Sequence, residues 1–187
     1  MTILTIRGTS GSGKTFLARR IMDRYNLQEP VYRPGRKQPL LYNLYRNPHG
    51  TPLRVLGHYA SPTGGGDTIS DGQDYIAGLA RAGHDEGFDV LYEGLVISSD
   101  YSRIAAFHAA GLPVGVIVLT TPLDECLASV QERRAARGNT KPLNPKTTRE
   151  KHRAVLQMVP RFRAAGVPVY HVDREGAFEI AREILKL

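Results

Sequence analysis

Eight residues near the start of the chain, Gly8-Thr-Ser-Gly-Ser-Gly13-Lys14-Thr15, constrain the fold more than any other feature of the sequence. They satisfy the pattern G-x-x-x-x-G-K-[ST], in which glycines let the backbone wrap so that consecutive N–H groups point inward at an anion. The flanks matter as much as the loop. Thr2-Ile-Leu-Thr-Ile6 reads as a strand entering it, and the stripe Leu17, Ala18, Ile21 and Met22 reads as the core-facing side of a helix from about Gly13 to Tyr25. The N-terminus of that helix adds its positive dipole end to the ring of amides, so the unit is a phosphate cradle. Lys14 is expected to reach the β- and γ-phosphates of a nucleotide, and the Thr15 hydroxyl to ligate Mg²⁺. Gly8, Ser10, Gly11, Ser12, Gly13 and Phe16 complete the nucleotide-contacting set.

Beyond the loop, apolar strands alternate with amphipathic stretches, the pattern of a doubly wound α/β fold with a mainly parallel sheet flanked by helices. Leu40–Arg46 and Leu53–Tyr59 read as strands around a hairpin break at Asn47-Pro-His-Gly50, and Ser70 as the cap of a helix running to about Ala82. Val90–Tyr92 is a short buried strand ending at Glu93, and Tyr101–Ala110 a helix leading to the strand Pro113–Leu119. Thr121, Pro122 and Asp124 resemble a capping box with proline at the first helical position, opening a helix that turns Leu123, Leu127 and Val130 inward and ends near Gly138. A basic helix from about Thr147 to Ala165, a strand at Val167–Val172 and a helix at Gly176–Leu185 complete the order. The expectation is a single domain over residues 1–187, with an acceptor-side insertion at about 30–75 and a helical lid at about 131–150.

Composition narrows the setting. No apolar run approaches the roughly 18 residues of a membrane span, and the N-terminus shows no basic-then-apolar signal. Cys126 is the single cysteine, which excludes an intramolecular disulfide and a cysteine-based metal cluster, so a cytoplasmic setting is expected. The net charge of +7 is unevenly spread: residues 1–50 carry nine Lys/Arg against two acids, residues 51–125 three against ten, and residues 126–187 thirteen against six. Basic ends suit a polyanionic substrate such as a nucleotide or nucleic acid; the competing reading is a solvated surface. Oligomeric state leaves no mark on the sequence.

Two further signals concern catalysis. Asp89-Val-Leu-Tyr-Glu93-Gly94 ends a buried strand in an acid, the place for a carboxylate that holds Mg²⁺ directly or through water. Glu93 is preferred because Gly94 behind it permits close approach of substrate, whereas Asp89 is read as a turn residue; a merely solvated Glu93 is the alternative. In Glu132-Arg133-Arg134-Ala-Ala-Arg137-Gly138, Arg133 and Arg137 share a helix face with Arg134 just beside it. Arginines on a closing segment neutralise charge spread over a transferring phosphoryl group, Arg134 being assigned to nucleotide binding; an arginine-rich surface helix is the competing view. By elimination, residues 30–75 build the acceptor pocket, where Asp67 is the candidate to orient or accept the proton of a hydroxyl. Asp71 and Asp74 are its rivals, His58 reads more readily as a core or edge histidine, and Arg33, Arg36 and Lys37 either hold a phosphate or form a solvated loop.

Taken together, the cradle at 8–15, the acid at Glu93 and the arginines at 133–137 resemble the P-loop nucleoside and nucleotide kinases. That resemblance implies ATP and Mg²⁺ as cofactors and places the ATP base near the lid and the loop Asp173-Arg-Glu-Gly176. The runs Gly57-His-Tyr-Ala-Ser-Pro-Thr-Gly-Gly-Gly-Asp-Thr-Ile69 and Tyr92-Glu-Gly-Leu-Val-Ile-Ser98 resemble a narrower family, the bacteriophage kinases of DNA hypermodification. It implies transfer to the hydroxymethyl group of 5-hydroxymethyldeoxyuridine in DNA, with the basic ends as a DNA track. Two alternatives stand beside it: a free deoxynucleoside monophosphate kinase, with Arg36, Arg46 or Arg54 holding the acceptor phosphate, and an ATPase or switch without an acceptor.

Overall fold

The computed structural model describes residues 1–35, 40–47, 50–60, 64–139 and 141–187. Its centre is built from three strands that are buried at every position. β1 (Ile3–Arg7), β5 (Asp89–Glu93) and β6 (Val114–Leu119) are buried throughout, as expected of strands covered on both faces. With β2 (Asn26–Tyr32), β3 (Leu40–Arg46), β4 (Leu53–Leu56) and β7 (Val169–Val172) they form a seven-stranded sheet in the order β2-β3-β4-β5-β1-β6-β7. The stretch from β4 to β7 is parallel, while β3 runs antiparallel to both β2 and β4.

Alternating side chains send each strand's residues to two separate cores. On one face Leu4, Ile6, Leu91 and Ile117 meet Leu17 and Ile21 of α1 (Lys14–Met22) and Phe178 and Ala181 of α6 (Arg174–Leu185). On the other, Ile3, Val90, Val116 and Val118 meet α2 (Gln73–Asp85), α3 (Ser102–Ala109) and α5 (Lys146–Ala164), with Phe162 fully buried. α4 (Leu123–Ala135) precedes α5 and presents Cys126 and Val130 to the interior. This is the doubly wound α/β arrangement expected from the sequence, and it is consistent with a P-loop NTPase-like fold. β1 lies between β5 and β6, so the loops leaving the carboxyl ends of these strands converge where α/β sheets bind ligands.

Several expectations need correction. β2 was not anticipated: Asn-Leu-Gln-Glu-Pro-Val-Tyr lacks an alternating pattern, and Pro30 is tolerated because the strand is an exposed edge. Ser70 does not cap α2, which begins at Gln73 behind Gly72. Thr121 makes no capping box either. Its hydroxyl donates to the Ser12 carbonyl at 2.8 Å, tying β6 to the cradle, and Pro122 sits at the cap rather than inside the helix. Leu123 and Leu127 are only half-buried, because Cys126 and Val130 carry the inward face. The strand expected to reach Tyr59 ends at Leu56. β3 and β4 do pair antiparallel, although Pro48 and His49 of the expected hairpin break lie outside the described residues. No described helix is long and apolar enough to cross a membrane.

One polar residue is built into this core. Arg7, 1% exposed at the end of β1, donates to the carbonyls of Ile97 and Asp100, the latter at 2.7 Å, and its guanidinium lies 5.9 Å from the Phe162 ring. It thereby fixes the turn that follows β5. Arg7→Ala would strand two carbonyls and leave a cavity, so a loss of about 3 kcal/mol is expected in urea denaturation. A loss below about 0.5 kcal/mol would show that the turn holds itself.

Candidate functional site

Gly8–Gly13 leaves β1 and closes over its own lysine. Lys14 is buried, and its ammonium donates to the carbonyls of Gly8 at 2.8 Å and Thr9 at 3.0 Å, drawing the loop into a ring. Burial pushes the Lys14 amine below its ordinary range, with Glu93 and Asp67 acting the other way. Gly13, immediately before α1, has φ of +97°, and a Cβ there would fall 2.7 Å from Arg174 Nε; no other residue fits that position without strain. Other contacts hold the loop from outside, besides the bond from Thr121 to Ser12. Gly8 N–H donates to Ser98 Oγ, Ser98 in turn to the Gly94 carbonyl, and Arg174 Nε to the Ser12 carbonyl at 3.2 Å.

Thr15, in the first turn of α1, donates its hydroxyl to Glu93 Oε1 at 2.8 Å. Glu93 is 2% exposed, and burial pushes its carboxyl up, while Lys14 and the Thr15 hydroxyl act the other way. A hydroxyl oxygen and a carboxylate thus meet beside a lysine and a ring of amides, a donor set that fits a hard cation shared with phosphate oxygens. Among the described residues no three His, Cys, Asp or Glu gather into a metal cage. Asp89 lies at the opposite, amino-terminal end of β5 and accepts from the Thr2 amide at 2.6 Å, so it is remote from the cradle.

Asp67 stands opposite Glu93. Its carboxylate accepts from the backbone amides of Leu95 at 2.6 Å and Val96 at 3.1 Å, and a Cβ on Gly94 would lie 2.6 Å from its Oδ1. The room that Gly94 leaves is therefore filled by Asp67 and not open to a substrate. A cavity of about 530 Å³ joins these groups. It is lined by Ser10, Gly11, Gly13, Lys14, Thr15 and Phe16 from the cradle, by Asp67 and Glu93, and by three arginines, Arg19, Arg133 and Arg174.

The expected arginine cluster divides. Arg133 lines the cavity, and burial, with repulsion from Arg137 added, pulls its pKa down. Arg137 is exposed beyond the end of α4, and Arg134 turns away to Asn139 and the Lys141 carbonyl. Arg54, weighed as an acceptor-phosphate ligand, is a core residue: 2% exposed, paired with Glu86 and set against the rings of Tyr42 and Phe88. Arg33 pairs with Asp71, and Asp74 with Arg103, while Arg36 and Lys37 lie outside the described residues. Sequence reasoning missed Arg19 and the contact of Arg174 with the cradle. The first was legible, because Thr15 and Arg19 are four apart on one helix; the second depends on how β7 delivers α6.

No family model matches the chain. Two curated phage proteins do. The "5-hmdU DNA kinase" of Pseudomonas phage PaMx11 is 45% identical over 98% of this chain and 97% of its own length. The chain belongs to the 5-hmdU DNA kinase family. A second member, from Pseudomonas phage M6, is 28% identical over 100% of this chain and 98% of its own length. Both alignments span cradle, Glu93 and lid region alike, so the family relationship covers the whole site.

The burial of Glu93 has a measurable consequence. A carboxyl whose pKa is raised by folding binds its proton more tightly in the native state, so its contribution falls as pH rises above the ordinary glutamate range. Glu93→Gln should therefore melt at a higher temperature than the native chain at pH 8, with the gain shrinking toward pH 4. An equal or lower melting temperature at pH 8 would mean that attraction to Lys14 outweighs burial.

Proposed function

We propose that this chain transfers the γ-phosphoryl group of ATP to the hydroxymethyl oxygen of 5-hydroxymethyldeoxyuridine in DNA, in the cytoplasm. The observation that carries this reading is the 45% identity, over nearly the full length, to a protein named for that activity. The cavity supports it, since phosphoryl transfer asks a protein chiefly for positioning and for charge at the transferring group.

The amides of Gly8–Gly13 would hold the β-phosphate while the Lys14 ammonium faces the β- and γ-phosphates. The Thr15 hydroxyl, and Glu93 directly or through water, would hold Mg²⁺, which would supply charge neutralisation at those phosphates. Arg133 from one wall, and Arg137 once the lid at about 131–150 closes, would complement the negative charge spread over the phosphoryl oxygens. The acceptor oxygen forms its bond to the γ-phosphorus as the bond to the β–γ bridging oxygen breaks, and ADP leaves with that electron pair. The hydroxyl proton passes to Asp67, whose two oxygens each keep a lone pair beyond the amides of Leu95 and Val96. The outer side of α5 exposes Lys146, Arg149 and Arg153, which would track DNA phosphates. Of the arginines weighed for a free nucleotide acceptor, Arg54 is committed to the core.

The test offers γ-labelled ATP and Mg²⁺ with duplex DNA containing 5-hydroxymethyluracil, with unmodified DNA and with free nucleoside monophosphates. Label is expected in the modified DNA alone, and Lys14→Ala should lower kcat by about 10²–10³-fold or more. Label in a monophosphate instead, or only free phosphate, would overturn the proposal.

A further inference from the structure

A second cavity, of about 500 Å³, opens on the β2–β3 edge of the sheet and takes no part in the mechanism above. Its walls are apolar: Leu27, Pro30 and Tyr32 from β2, Leu40 and Tyr45 from β3. Its polar groups are Asn43, His58 and Tyr59. Three features distinguish it from an ordinary surface dent. Leu27 and Tyr32, at 59% and 57% exposed, are among the few large apolar side chains that face solvent in the described chain, and both stand at this cavity. Among the described residues the Tyr59 hydroxyl and His58 Nδ1 are buried without a hydrogen-bond partner, and Asn43 is buried at 8% exposed. Burial also keeps the Tyr59 phenol well above its ordinary pKa, so it is a neutral donor.

The cavity is connected to the phosphate site through the backbone that forms its floor. The Tyr59 carbonyl accepts from Arg19 Nη2 at 2.6 Å, and Arg19 lines the phosphate cavity. The Gly65 amide donates to the His58 carbonyl at 2.9 Å, and a Cβ on Gly65 would stand 2.6 Å from Glu93 Oε1. The ATP side of the phosphate cavity, marked by Arg133 and Arg174, is lined by other elements.

We infer that this groove receives the pyrimidine base of the acceptor nucleotide, swung out of the duplex, and so determines which base is phosphorylated. The inference rests on the DNA kinase reading above. A uracil edge presents acceptor, donor and acceptor in a row; the Asn43 amide offers a donor and an acceptor, and the Tyr59 hydroxyl a further donor. Tyr32 and Tyr45 provide rings for stacking, which is how an extruded base is held once its neighbours in the helix are lost. A groove that hydrogen-bonds the pyrimidine edge leaves its own buried polar groups unpaired against a wrong base, which is a strong means of rejection.

Steady-state kinetics on duplex DNA containing 5-hydroxymethyluracil tests this with Tyr32→Ala, Asn43→Ala and Tyr59→Phe. Tyr59→Phe removes only a hydroxyl that has no partner among the described residues, so it should fold as the native protein does. Each variant is expected to raise KM for the DNA about tenfold or more while KM for ATP stays within about twofold. With 2-aminopurine placed beside the target base, the native chain should increase fluorescence on binding and Tyr32→Ala should not. Unchanged DNA KM in all three variants, with the native chain active, would overturn the groove assignment alone. A raised ATP KM instead would make the groove a nucleotide subsite and overturn it too. A native chain inactive on the modified DNA would remove the functional reading first, and this inference with it.

Discussion

The hydrogen bond from Thr15 to Glu93 joins the first turn of α1 to the end of β5, and the rest of the site depends on it. Thr15 belongs to the helix that follows β1, and Glu93 ends the neighbouring strand β5, so the contact forms only when those strands are paired in register and the cradle is wound to bring α1 back over the sheet. Its surroundings are costly to assemble. Lys14 and Glu93 are both buried, and burial shifts each toward its neutral form, against the attraction between them. A site that keeps opposite charges dry and close, before any phosphate arrives, is prepared to stabilise charge at the moment of transfer. The fold tolerates that burden because Arg7, Ser98 and Thr121 fix the loops around it from inside the core.

The β2–β3 edge is built differently. Whereas the phosphate cradle hangs on fully buried parallel strands, β2 is an exposed antiparallel edge strand with Leu27 and Tyr32 facing solvent. Such an edge would ordinarily invite pairing with another chain; Pro30 and the register shifts in β2 disrupt that template.

How much of this was legible in the sequence varies with the physics involved. The cradle, its flanking strand and helix, and Glu93 were readable because a local pattern dictates them: glycines for the turn, apolar runs for strands buried on both faces. Asp67 could be singled out, but its two backbone amide partners come from a segment 28 and 29 residues away and leave no local trace. The same is true of Arg174, which reaches Ser12 across 162 residues. β2 escaped because an exposed edge strand needs no apolar alternation. Thr121 misled because a threonine before a proline and an acid suits a helix cap, and only tertiary structure reveals that its hydroxyl serves the cradle instead.

A divalent cation would sit at the Thr15–Glu93 pair, held jointly with a nucleotide. The most direct check replaces Mg²⁺ by Mn²⁺ and follows its paramagnetic resonance with and without ATP. The signal of bound Mn²⁺ should depend on ATP in the native chain and weaken about tenfold or more in Thr15→Val, which keeps the shape and removes the hydroxyl. Equal nucleotide-dependent binding of Mn²⁺ by Thr15→Val and the native chain would contradict it.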